Sequence, residues 1–106
     1  MFDLLQYLRR QRTFSEKTFG PGTRTHGVID HIRKELVEVE QTPLDLKEWI
    51  DIVTLALDGA WRAGYSPEQI TAQLDATLTR NEGRKWPDWR TAPTDRAIEH
   101  DRSASQ

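Results

Sequence analysis

The sequence predicts an all-α protein of four to five short helices. Three observations carry that expectation. Apolar residues recur at helical spacing in two long segments, Val28, Ile29, Ile32, Leu36, Val39 and then Leu46, Trp49, Ile50, Val53, Leu57, Ala60, Trp61. Ser66-Pro67-Glu68-Gln69 has the order of N-cap, first-turn proline and capping-box glutamine. No segment alternates convincingly between apolar and polar residues as a half-buried strand does.

The first helix is expected over about residues 2–12, with Phe2, Leu5 and Leu8 at helical intervals and Arg9, Arg10 and Arg12 at its negative end. Residues 14–22 show no clear period, and Gly20-Pro21-Gly22 reads as a turn. A second helix follows from Gly27 to Glu40. Gln41-Thr42-Pro43-Leu44 breaks it, and Asp45 is positioned to cap a third helix running from Leu46 to Ala63. Gly64 suits the left-handed residue after that helix. The fourth helix begins after Ser66, with Ile70, Leu74 and Leu78 inward, and ends before Trp86-Pro87-Asp88-Trp89. Residues from about 91 to 106 form a polar tail, expected to be loosely held.

With 106 residues, the chain is expected to be a single domain over 1–106. At 36% hydrophobic and 30% charged residues its core is thin, so burial completed by self-association is expected. The absence of cysteine excludes a disulfide framework, thiolate metal ligation and a cysteine nucleophile. A net charge of −2 speaks against nucleic-acid binding through a basic surface. No apolar run approaches the roughly 20 residues that span a bilayer. The first residues are too soon charged for a signal peptide, so a cytoplasmic protein is expected.

The chemistry-bearing feature is a pair of acid pairs, Glu35-x-x-Glu38 and Glu48-x-x-Asp51. Acids three residues apart project from one side of a helical turn. If the two helices pack antiparallel, four carboxylates converge, which requires a counter-ion. Hard oxygen ligands in that number suit Mg²⁺ or Mn²⁺. Each pair also has an ordinary reading. Lys34 and Glu38 could form a surface ion pair, and Asp45-x-x-Glu48 fits a capping box. Asp51 resists that reading, because it lies past the first turn among Trp49, Ile50, Ile52 and Val53.

His31 lies one turn before Glu35 and is either structural or a site residue. Asp58 either extends the acidic face or pairs with Arg62 on the surface. Arg84 and Lys85, with Asn81 and Arg80, either cap the fourth helix or contact phosphate. Trp86 and Trp89 either plug a small core or stack on a purine.

These residues resemble the MazG-like, all-α nucleoside triphosphate pyrophosphohydrolases. The chain looks most like the phage and bacterial branch of dATP/dGTP pyrophosphohydrolases, which includes the phage MazZ proteins. The narrower likeness rests on Phe14-Ser15 with Thr18-Phe19-Gly20, on residues 27–36, on Glu48-Trp49-Ile50-Asp51, on residues 55–64, and on Asn81-Glu82 through Trp86-Pro87-Asp88-Trp89-Arg90. The resemblance implies that Glu35, Glu38, Glu48 and Asp51 hold Mg²⁺. It implies hydrolysis of a purine nucleoside triphosphate, dGTP or dATP, to monophosphate and pyrophosphate, in a helical bundle completed as a dimer or tetramer. His31, Asn81, Arg84, Lys85 and Trp86 are the candidate substrate-binding residues, and Glu38 the candidate base. If the gene is phage-borne, the protein works in the host cytoplasm. The family's lysine four residues before the asparagine is Thr77 here. Two rival functions remain at this stage: a non-catalytic helical oligomer that binds a protein partner, and a related pyrophosphohydrolase acting on another nucleotide such as phosphoribosyl-ATP.

Overall fold

A computed structural model describes residues 1–102. Its elements are α1 (Leu4–Phe19), α2 (Thr25–Gln41), α3 (Leu46–Arg62), α4 (Pro67–Gly83) and a 3₁₀ turn at Trp89–Thr91, with no strand among the described residues. The all-α expectation holds. Residues 103–106, the end of the expected tail, lie outside the described residues. The chain forms two compact units, the first spanning Met1–Ala72 and the second starting at Gln73.

Local chemistry sets the helix ends. The Asp3 carboxylate accepts from the backbone N–H groups of Leu5 and Gln6 and starts α1, and Asp45 accepts from Lys47 to start α3. At α4 the capping box forms in both directions: Gln69 N–H donates to Ser66 Oγ at 3.1 Å, and Ser66 N–H donates to Gln69 Oε1 at 2.9 Å. Gly64 follows α3 with φ of 107°.

The main departure from expectation is α1, which runs on to Phe19 where no period was visible. Its inward line is Leu4, Leu8, Gln11 and Ser15, so the second half of the buried stripe is polar and a search for apolar spacing misses it. Gln11 Nε2 donates to the Thr54 carbonyl at 2.7 Å, and Ser15 Oγ donates to Asp58 Oδ1. The arginines expected at a helix terminus sit in mid-helix instead. Arg9 pairs with Glu68 at 2.6 Å, and Arg12 pairs with Glu16 and lies 5.3 Å from the Trp61 ring centroid.

In the first unit, α2 and α3 pack antiparallel: Val28 lies against Gly59 while Glu35 lies near Asp51. Helix α1 runs alongside α3 in the same direction, Gln11 facing Thr54 and Ser15 facing Asp58. The apolar core is small. Leu8, Trp61 and Ile70 form one cluster, with Val28 and Val39 buried elsewhere.

Its polar complement is Arg62, predicted as half of a possible surface pair and found only 6% exposed. All five of its N–H bonds find acceptors. Nε donates to Asp58 Oδ2 at 2.9 Å, Nη1 to the carbonyls of Gly20 (3.0 Å) and Gly22 (2.8 Å), and Nη2 to Ser15 Oγ (2.8 Å) and Ser15 O (3.3 Å). Gly20 and Gly22 have φ of 92° and 81°, a region where a Cβ is strained. The turn between α1 and α2 can therefore aim two carbonyls at one guanidinium. The same guanidinium lies 4.5 Å from the Trp61 ring centroid.

The second unit comprises the remainder of α4, the 3₁₀ turn and extended chain. Leu74 and Leu78, expected inward, are 57% and 61% exposed, so helical spacing alone did not bury them. The segment beyond Arg90 is tied down more than its composition suggests: Asp101 N–H donates to the Lys85 carbonyl at 2.7 Å, and His100 packs edge-on against Trp86.

Arg62→Met should destabilise the protein by about 3–5 kcal/mol, since it strands a buried carboxylate. Chemical denaturation measures this, and Arg62→Lys should not restore the loss, because one ammonium cannot serve five directed acceptors.

Candidate active site

The antiparallel register of α2 and α3 brings carboxylates from two helices together. Glu35, Glu48 and Asp51 each offer an oxygen within 4.8 Å of the others. All three are half-buried. Ligands about 2.1 Å from a Mg²⁺ ion stand within roughly 4.2 Å of one another, a spacing close to that of this trio. Glu38 lies outside this trio, exposed one turn along α2 from Glu35.

The cluster already attracts a cation. Lys47 Nζ lies 2.8 Å from Asp51 Oδ2 and 4.0 Å from Glu48 Oε1. The hydrogen bond to Asp51, with the charges of Asp51, Glu48 and Glu35, raises the Lys47 pKa. Glu48 shifts upward too, chiefly because burial penalises its charge, with Glu38, Asp45 and Asp51 adding repulsion against the pull of Lys47. The ammonium answers negative charge that the three acids gather, and the oxygens on offer are carboxylate oxygens without thiolate. That donor set fits Mg²⁺ or Mn²⁺. Lys47 escaped the sequence reading, although its i,i+4 spacing to Asp51 was a usable signal.

His31 stands one turn from Glu35 on α2, with Nε2 3.5 Å from Glu35 Oε1 and its side chain half-exposed. Both open onto a cleft of about 940 Å³ walled by α1, α2 and α3. Asp51, Thr54, Leu55 and Asp58 line it from α3, and Arg10, Gln11, Phe14 and Lys17 from α1. The α1 wall had no place in the sequence reading, because α1 was expected to end before it.

Asn81, Arg84, Lys85 and Trp86 belong to the second unit. There Arg84 Nη1 donates to Asn81 Oδ1 at 3.4 Å, and Trp86 Nε1 donates to the Asn81 carbonyl at 2.7 Å. His100 has a lowered pKa, first through burial and then through the nearby charges of Arg84 and Arg102.

A half-buried carboxylate cluster beside a nucleotide-sized cleft in an all-α fold fits the MazG-like class of nucleoside triphosphate pyrophosphohydrolases. The family profile described as dATP/dGTP pyrophosphohydrolase matches residues 7–105, nearly the whole chain. The chain belongs to this family, and it is accordingly a nucleoside triphosphate diphosphatase. That removes the non-catalytic reading. No curated protein and no solved structure matches the chain. No helix among the described residues is long and apolar enough to cross a membrane.

Two outcomes follow from the Lys47–acid contact. Lys47→Met should let Mg²⁺ stabilise the protein at lower concentration, because no internal cation competes; a thermal-shift titration measures the midpoint. The raised Glu48 pKa means that the folded chain holds its proton more tightly than the unfolded chain. Stability without divalent ions should therefore fall as pH rises through the window just above the ordinary glutamate range. Glu48→Gln should remove that slope and abolish stabilisation by Mg²⁺, both read from melting curves across pH.

Proposed function

We propose that the protein is a Mg²⁺-dependent enzyme that cleaves dGTP or dATP to the monophosphate and pyrophosphate. The supporting observation is the trio of carboxylates, two of them lining the cleft. Glu35, Glu48 and Asp51 would hold the ion, with Glu38 joining by a side-chain rotation; Mn²⁺ is the natural substitute. When bound, the ion supplies the positive charge that lets a polyanion approach these acids and polarises its phosphates.

The remaining steps belong to the chain. The cleft holds the triphosphate so that water meets the α-phosphorus in line with the bridging oxygen to the β-phosphorus. Glu38, exposed to solvent, accepts the proton of the attacking water. The water oxygen bonds to the α-phosphorus as the bridging P–O bond breaks, and pyrophosphate departs with the bonding electrons. His31, beside Glu35 in the cleft, is placed for substrate contact. Asn81, Arg84, Lys85 and Trp86, all of the second unit, are our candidates for further substrate contacts.

Self-association completes the proposal. Leu36, Trp49, Ile50 and Val53 of α2 and α3 are about half-exposed, an apolar surface suited to a second copy, as a dimer or dimer of dimers. The whole chain, 1–106, is proposed to act as one catalytic domain, in the cytoplasm of its cell or phage host.

The deciding experiment incubates the protein with each common NTP and dNTP and Mg²⁺ and separates pyrophosphate from orthophosphate. Pyrophosphate from dGTP or dATP is expected; orthophosphate alone would refute the cleavage position. Glu35→Ala should abolish both turnover and Mg²⁺ stabilisation. Glu38→Gln should lower kcat by about 10²- to 10⁴-fold while keeping much of that stabilisation.

A further inference from the structure

The second half of α1 carries features that its packing does not explain. Phe14 is 61% exposed, and Phe19 is 46% exposed. The two rings meet edge to face, with centroids 6.1 Å apart, and both line the cleft that reaches Glu35 and Asp51. Two large aromatic rings left open to water on one wall of a cleft forgo burial that a core would give them.

Around them the cleft is cationic. Arg10, Phe14 and Lys17 follow one another at i, i+4 and i+7, so they share a face of α1. Arg24, at the start of α2, lies 5.8 Å from the Phe19 ring centroid, with room left by Gly27: a Cβ there would stand 3.1 Å from the guanidinium. Arg10, Lys17 and Arg24 form no ion pair among the described residues, although the chain as a whole is acidic.

Gln11 adds a polar signal. Because Nε2 donates to a carbonyl, that of Thr54, the amide cannot be reversed, and Oε1 is an acceptor alone. Oε1 is buried and has no hydrogen-bond partner, a state that calls for an explanation. Gln11 as a whole is only partly buried, and it lines the cleft. Contact between Oε1 and a ligand in the cleft therefore requires a shift of the groups that now cover this atom.

Register fixes the distances. With Gln11 facing Thr54 in a parallel run, Asp51 stands level with Leu8. Phe14 lies six residues further along α1, about 9 Å at 1.5 Å per residue. A nucleoside triphosphate whose phosphates meet the acid cluster extends its base over such a span.

We propose that α1 carries the nucleobase subsite of this enzyme: the purine stacks on Phe14, with Phe19 at its edge, and an N–H of the base donates to Gln11 Oε1. The inference rests on the nucleotide-hydrolase reading and deepens it. It assigns the base to the first unit, where the candidate acids also lie, rather than to Trp86, whose indole N–H is already committed to the Asn81 carbonyl. A lone acceptor accepts equally from the N1–H and amino groups of guanine or the amino group of adenine, and rejects a purine with no N–H on that edge.

The test measures binding in Mg²⁺ of dGTP carrying a methylene in place of the α,β-bridging oxygen, beside deoxyribose triphosphate that lacks a base. Phe14→Ala should weaken the dGTP analogue by roughly tenfold or more relative to the base-free compound, and Phe14→Trp should preserve the preference. Gln11→Met should erase the preference for dGTP over the deoxynucleotide of unsubstituted purine. Equal weakening of both ligands by Phe14→Ala would overturn the proposal, as would loss of base preference in Trp86→Ala but not Phe14→Ala. So would wild-type protein that binds the base-free compound as tightly as the dGTP analogue, a result that needs no variant to fold. Base-dependent binding that requires Phe14, in a protein that hydrolyses no nucleotide, would uphold the subsite and defeat the hydrolase reading instead.

Discussion

The guanidinium of Arg62 is the constraint on which the first unit depends. The apolar core of Leu8, Trp61 and Ile70 is too small to fix three helices by burial alone, because apolar contact has no direction. Arg62 supplies direction. Five N–H bonds leave one plane at set angles, and each ends on a different acceptor, from α3 itself, from Ser15 of α1, or from the Gly20-Pro21-Gly22 turn. A shift of any one of these segments would leave a buried charge short of a partner, at a cost of several kcal/mol. The network therefore holds α1 parallel to α3 at one register and delivers the chain into α2 at one angle.

The candidate site follows from that register. With α2 returning antiparallel along α3, Glu35 meets Asp51 while Val28 closes on Gly59. Burying and crowding carboxylates is unfavourable in itself, and the Glu48 pKa is raised first by its burial and then by repulsion from Glu38, Asp45 and Asp51. Lys47 offsets part of that repulsion without occupying the cleft wall formed by α1. The unit thus folds around a charge conflict that Lys47 answers in part.

Much of this was legible in the residues. The capping box at Ser66-Pro67-Glu68-Gln69 and the Asp45 cap are local interactions, made within three residues, and they stand where the spacing placed them. The apolar stripes of α2 and α3 announced two helices, and the E-x-x-E and E-x-x-D spacing named the acids. The extent of α1 was illegible, because Gln11 and Ser15 are inward-facing polar residues whose partners, Thr54 and Asp58, lie 43 residues away. Asp58 and Arg62 read as a surface pair at i,i+4, and only the approach of α1 and the glycine turn buries them. Leu74 and Leu78 erred in the other direction: helical spacing makes a stripe, but a stripe is buried only if another element covers it.

The sequence by itself determined α2, α3 and α4, the caps that start α3 and α4, and the acids on offer, since all of these depend on neighbours within a turn or two. Tertiary structure decided which acids approach within 4.8 Å, that Lys47 meets them, and that α1 rather than open solvent faces them across the cleft. The reason is range. Capping and periodicity act over a few residues of one helix, whereas charge clustering and cleft formation depend on the register between helices, which a buried guanidinium sets from the far end of α3.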